Sequence, residues 1–181
     1  MFDKMNLKPL AMNALSHLSR HPDREFYVRE LAREIGASLG GCHNALKELQ
    51  ELGLARSRKS GRNLYYAVDG ANPAIRHFKI LTNLLEFREL VDGLRPISLK
   101  VVLFGSCASG TDTADSDIDV LVIANEPEVA WEIVKSVELP RKLQAVILTP
   151  GQLLQSREKD PAFHAEVDKG IVLHRAEDER V

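Results

Sequence analysis

Apolar residues first recur at helical spacing. Leu7, Leu10, Leu15 and Leu18, with Ala11 and Ala14 between them, predict a helix that His21-Pro22 stops. Phe26-Tyr27-Val28 reads as a short extended piece. Val28, Leu31, Ala32 and Ile35 then mark one face of a second helix, and Gly36 suits the left-handed position after it. Ser38 is placed to cap a third helix with the face Leu39, Cys42, Leu46, Leu49 and Leu52, ending at Gly53. Residues 54–59 and 62–68 read as two strands around Ser60-Gly61. Asn72-Pro73 opens a long helical stretch, with Ile75, Phe78, Leu81, Leu84, Leu85 and Leu90 in phase, that ends near Asp92-Gly93.

From Ile97 the pattern changes to short apolar runs alternating with helices. It predicts strands over 97–104, 118–123, 143–148 and 171–174, and helices over about 127–137, 150–158 and 161–169. The expected organisation is three helices and a hairpin over 1–70, a linker helix over 71–95 and a compact mixed α/β domain over 96–181. No internal repeat or Ser/Gly-rich linker separates them.

Composition narrows the class. The 181 residues are 44% hydrophobic and 28% charged, without a run long enough to span a bilayer, so the expectation is a globular protein with no membrane association. The first residues lack the apolar core of a secretory signal, and Cys42 and Cys107 lie far apart, so a reducing cytoplasm is expected. The net charge of −2 conceals an asymmetry: residues 1–80 hold 13 Lys/Arg against 8 Asp/Glu, and residues 81–181 hold 11 against 18. A basic half beside an acidic half suits a nucleic-acid module joined to a domain with other work.

Three helices followed by a basic hairpin is the winged-helix plan, in which the third helix enters the major groove and the wing follows the phosphates. Ser38, His43, Asn44 and Lys47 occupy the polar face of the third helix, and Arg56, Arg58, Lys59 and Arg62 place four cations in seven residues around the hairpin. Gly40-Gly41 inside the third helix implies close approach to DNA or to another helix. The segment Ala37–Val68, with Leu-x-Glu-Leu-Gln-Glu-Leu-Gly-Leu before a basic turn and Gly61-Arg62-Asn63-x-Tyr65-Tyr66, resembles winged-helix repressors related to the ArsR and MarR families. That resemblance covers about residues 8–70 and implies double-stranded DNA as partner and a homodimer, for which the helix over 73–90 is a candidate interface.

In the second half, Val101-Val102-Leu103-Phe104-Gly105-Ser106 is followed, after ten residues, by Asp117-Ile118-Asp119-Val120-Leu121-Val122. Glycine and serine after a buried strand can admit a phosphate, with Gly110 and Ser116 completing the nucleotide-binding set. Asp117 and Asp119, two residues apart on a strand, point to one face in reach of Mg²⁺ or Mn²⁺. Such a metal would bridge the phosphates of an NTP, ATP being expected. The Gly-Ser, ten residues, Asp-x-Asp spacing resembles minimal members of the nucleotidyltransferase superfamily from about Leu99 to Leu173. It implies an α+β chain: a winged helix-turn-helix followed by a small mixed-sheet, polymerase beta-like domain.

The chain departs from that family in two places. Cys107, Ala108 and Ser109 follow the Gly-Ser pair where basic residues are common, and Gln144 occupies the expected place of a third carboxylate. Glutamine carries no charge and cannot take a proton from an attacking hydroxyl. The fusion also resembles a group of transcriptional regulators in which this third position tends not to be acidic.

Three readings follow: transfer of a nucleoside monophosphate from NTP to a hydroxyl acceptor, a nucleotide-sensing or protein-contact regulator, or an antitoxin-type partner of a helical toxin-like protein. The six histidines show no paired metal-ligand spacing, Trp131 is expected to pack its helix, and no Walker motif or serine elbow occurs.

Overall fold

A computed structural model describes residues 7–176. The chain divides into two compact units after Lys79. The first contains α1 (Pro9–Ser19), β1 (Phe26–Tyr27), α2 (Val28–Glu34), α3 (Leu39–Glu51), β2 (Arg56–Ser60), β3 (Asn63–Ala67) and the start of α4 (Pro73–Glu86). Ser38 caps α3 by accepting the Gly41 N–H at 3.2 Å, and Gly36 and Gly53, both at positive φ, end α2 and α3 as the apolar periodicity implies.

The strands form an antiparallel sheet in the order β1-β3-β2. Ser60 pairs with Asn63, so the hairpin turns through Gly61-Arg62, one residue later than the Ser60-Gly61 expected; Gly61 takes the positive φ of 59° that the turn demands. The core gathers the predicted faces: Leu15 and Leu18 from α1, Leu31 from α2, Leu46 and Leu49 from α3, with Phe26 and Tyr66 from the sheet. A Cβ on Gly41 would lie 3.0 Å from Leu10, whereas one on Gly40 meets nothing within 4 Å. The close approach expected of this pair is therefore Gly41 against α1.

The second unit takes the end of α4 and then α5 (Arg88–Leu94), β4 (Ser98–Phe104), α6 (Gly105–Ser109), β5 (Ile118–Ala124), α7 (Pro127–Ser136), β6 (Leu143–Leu148), α8 (Pro150–Lys159), α9 (Pro161–Val167) and β7 (Ile171–Arg175). The long helix foreseen up to Asp92-Gly93 is two helices. Phe87, fully buried, sits at the break with φ −92° and ψ 6°, outside helical geometry.

The sheet order is β6-β5-β4-β7, with β5 and β6 parallel and the other pairs antiparallel. Strand alternation separates two cores. Val101, Leu103, Ile118, Val120 and Val122 face Phe87, Leu90, Ala130 and Val134 of the helices before and after them, while Val102, Phe104, Leu121 and Ile123 face Val167, Leu153 and Phe163. Both faces being covered explains why β4 and β5 read as nearly unbroken apolar runs. Trp131 belongs to neither core. It is 39% exposed on α7, which corrects the expectation that it packs its helix.

Candidate functional site

Period-2 alternation puts Asp119 on the face of β5 that carries Leu121 and Ile123, beneath α9, and Asp117 shares that face two residues earlier. In the parallel β5–β6 register Asp119 is opposite Gln144. Gln144 donates its side-chain amide to Asp117 Oδ2. An ionised carboxylate only accepts, so the amide nitrogen must be the atom that faces it, and the Gln144 carbonyl points elsewhere. Lys142 Nζ lies 3.6 Å from the same Asp117 oxygen.

The Gly-Ser turn meets Asp119 directly. Gly105 has φ +67°, and a Cβ there would fall 2.6 Å from Asp119 Oδ2, so the carboxylate occupies the space where any other residue would carry its side chain. Burial first, and then the nearby Glu166 and Asp117 carboxylates, push the Asp119 carboxyl above its ordinary value. A cation beside it would relieve both effects.

Gly105 and Ser106 open onto a cleft of about 520 Å³, completed by Ala108, Ser109 and Thr111 from α6 and its loop and by Ala165, Glu166 and Lys169 from α9 and the following turn. Gly110, at φ +66°, ends α6 and turns the chain. Ser116, Asp117 and Asp119 lie outside the cleft lining, Asp119 directly behind Gly105; the Ser116 hydroxyl accepts the Thr113 N–H at 2.8 Å and closes the loop before Asp117. Glu166 and Lys169 were not anticipated, because nothing in linear spacing links them to residues 105–119; the antiparallel return of β7 beside β4 does.

A divalent ion fits this arrangement in a limited sense. Among the described residues no group of three or more His, Cys, Asp or Glu side chains could hold a metal. Asp117 and Asp119 match the one or two carboxylates by which Mg²⁺ is held when phosphates and water supply the remaining ligands. The donor set therefore suits a metal that arrives with a nucleotide.

The end of α4 is fixed to this unit by a buried polar cluster. Arg141 reaches Asp112 Oδ2 at 2.9 Å, Asn83 Oδ1 at 2.9 Å and Glu86 Oε2 at 3.5 Å, and the Asn83 amide donates to the Cys107 carbonyl at 3.0 Å. Asp112 is fully buried, and its two oxygens meet Arg141 at 2.9 Å and the Asn83 amide at 3.3 Å.

In the first unit, His43, Asn44 and Lys47 share the exposed face of α3. Ser38 is engaged as the helix cap. Arg56, Lys59 and Arg62 are exposed on the wing. Arg58 is held by Glu25 through three contacts, Nη2 to Oε2 at 2.5 Å, Nε to Oε2 at 3.1 Å and Nε to Oε1 at 3.2 Å, an ion pair not legible in the sequence. It forms because β1 and β2 flank β3, so that the Arg58 side chain reaches across Tyr65 of β3 to the residue before Phe26. Between α2 and the wing, Arg29, Leu39, Arg62 and Asn63 line a groove of about 570 Å³, which adds Arg29 to the anticipated cations.

A winged helix-turn-helix followed by a four-stranded mixed sheet with an Asp pair over a Gly-Ser turn defines the class: a DNA-binding regulator fold joined to a nucleotidyltransferase fold. Residues 5–63 match the MarR family model, and residues 84–168 match that of the nucleotidyltransferase domain. The chain thus carries a MarR-family winged helix and a nucleotidyltransferase domain.

No curated protein matches the chain. Solved structures similar to it include reduced HlyU from Vibrio cholerae, 21% identical, covering 46% of this chain and 82% of its own, with a TM-score of 0.37. NolR from Sinorhizobium fredii is 24% identical, covering 48% and 79%, with a TM-score of 0.37. A candidate nucleotidyltransferase from Sulfolobus solfataricus is 20% identical, covering 57% and 89%, with a TM-score of 0.39. No helix among the described residues is long and apolar enough to cross a membrane.

Proposed function

We propose that this chain is a DNA-binding regulator whose second unit binds a nucleoside triphosphate together with Mg²⁺, ATP being the first candidate. The observation that carries the reading is the placement of Asp119 in the side-chain space of Gly105, which sets a carboxylate directly behind the Gly-Ser turn that lines an open cleft. The cleft would take the phosphates beside Ser106, and Asp117 and Asp119 would hold the ion, which would neutralise phosphate charge there. The exposed face of α3 and the wing cations Arg56, Lys59 and Arg62 support duplex recognition by groove contact and phosphate contact respectively. Exposed Leu81 and Leu85, one helical turn apart on α4, suit a homodimer contact.

Transfer of a nucleoside monophosphate is the second reading, and Gln144 weighs against its full rate. The residue opposite Asp119 spends its amide on Asp117 and offers no base for an acceptor hydroxyl.

Calorimetric titration of the full chain with a non-hydrolysable ATP analogue, with and without Mg²⁺, tests the first reading. Binding that needs Mg²⁺ and disappears in the Asp117→Ala, Asp119→Ala double variant is expected. A folded protein that binds no nucleotide would remove it. A gain of transferase activity in Gln144→Glu would favour the second reading.

A further inference from the structure

The cleft of the second unit has a charge problem. Asp117, Asp119 and Glu166 bring three carboxylates to one end of the sheet, and α6 offers only Cys107, Ala108 and Ser109 after Ser106. Lys142 is already beside Asp117. A triphosphate carries up to about four negative charges at neutral pH, so a site for it needs a cation aimed at the phosphates as well as a metal.

Lys169 is the one cation among the described residues that line the cleft, and it forms no ion pair among them. Its position is set by Gly170. A Cβ there would lie 2.5 Å from the Leu103 carbonyl oxygen, 2.8 Å from Val102 Cγ1 and 2.9 Å from the Val167 carbonyl oxygen. Backbone therefore presses on backbone two residues before Gly105. The turn is closed by Lys169 N–H to the Glu166 carbonyl at 3.1 Å and Gly170 N–H to the Val167 carbonyl at 2.9 Å. The backbone of Lys169 is thus immobilised at the wall of the cleft while its side chain stays exposed. Across the cleft, the Ser106 hydroxyl makes no hydrogen bond among the described residues, whereas the Ser109 hydroxyl is engaged by Thr111 at 2.8 Å and the Ser106 carbonyl at 3.1 Å.

We infer that Lys169 is the phosphate-binding cation of this cleft, its ammonium and the Ser106 hydroxyl gripping the terminal phosphates of a nucleoside triphosphate from opposite walls. The inference rests on the nucleotide-binding reading above and assigns the discrimination between triphosphate and monophosphate to a residue of the α9–β7 turn.

The test is titration of the full chain with the non-hydrolysable ATP analogue plus Mg²⁺ and, separately, with AMP, for wild type, Lys169→Ala and Lys169→Arg, with melting temperatures recorded for each. Lys169→Ala is expected to weaken the triphosphate by about ten- to a hundredfold, the loss of one charge-assisted hydrogen bond, while changing AMP by less than about twofold. Lys169→Arg should restore most of the difference, and melting should not move. A wild type that binds the triphosphate, together with a Lys169→Ala variant that still prefers it to AMP as strongly, overturns the role of Lys169 alone. Equal losses for both ligands also overturn it, since they mark a distorted cleft. A wild type that binds neither removes the nucleotide-binding reading and this inference with it.

Discussion

Gly105→Ala tests the geometry at the centre of the proposed site. Alanine at φ +67° pays a left-handed penalty of about 1–2 kcal/mol. Its Cβ would stand 2.6 Å from Asp119 Oδ2 and 3.4 Å from Asp119 Cγ. The Asp119 backbone cannot retreat, because it pairs with Phe104 on one side and Gln144 on the other. The carboxylate must leave its rotamer, at a cost of roughly 0.5–1.5 kcal/mol. The lower entropy of the unfolded alanine chain returns about 0.4–1 kcal/mol. The net is a loss of about 0.5–3 kcal/mol, which lowers the melting temperature of a domain of this size by roughly 2–24 °C. Differential scanning calorimetry reads the melting, and titration with the ATP analogue and Mg²⁺ reads the displaced carboxylate as lost affinity. Gly151→Ala is the control: nothing lies within 4 Å of its Cβ and its φ is not positive, so its melting should hold or rise slightly. A Gly105→Ala protein that melts within about 1 °C of wild type and keeps its metal-dependent binding refutes the argument.

Three other outcomes follow from the same geometry. Arg141→Ala removes the cation 2.9 Å from buried Asp112 and breaks its contacts to Asn83 and Glu86, and should cost about 3–5 kcal/mol in chemical denaturation; a cost below about 1 kcal/mol would show that these contacts do not hold the cluster together. On the wing, Lys59→Ala with Arg62→Ala should reduce the slope of log affinity against log salt by about two, and Glu25→Gln, by freeing Arg58, should steepen it by up to about one; filter binding to duplex DNA at several salt concentrations decides, and an unchanged slope in both would contradict the wing contact. Burial first, then His21, lowers the His17 imidazole below its ordinary 6.5, with Glu34 opposing. The unfolded chain therefore takes up the proton more readily than the folded one. The contribution is fully present above pH 6.5 and is lost as pH falls through the folded value, so the first unit should melt progressively lower below pH 6.5, less steeply in His17→Gln.

Most of the architecture was written in local pattern. The apolar stripes of α1 and α3, the cap at Ser38, the glycines that end α2 and α3, and every strand of the second unit follow from periods of 3.6 and 2 and from turn chemistry, which act between residues close in the chain. The Asp pair beneath the Gly-Ser turn was legible for the same reason: two residues apart on a strand share a face, and glycine after a buried strand signals a close approach.

Tertiary structure decided what those local signals meet. The break at Phe87 occurs within an otherwise continuous helical stripe, with that ring fully buried in a distant core. Glu25 reaches Arg58, Arg141 reaches Asp112, and Lys169 reaches the cleft of Gly105 only through strand pairing between segments 29 to 64 residues apart. Charge and hydrogen bonding depend on distance in space, and spacing along the chain carries no record of that distance until the sheets are assembled.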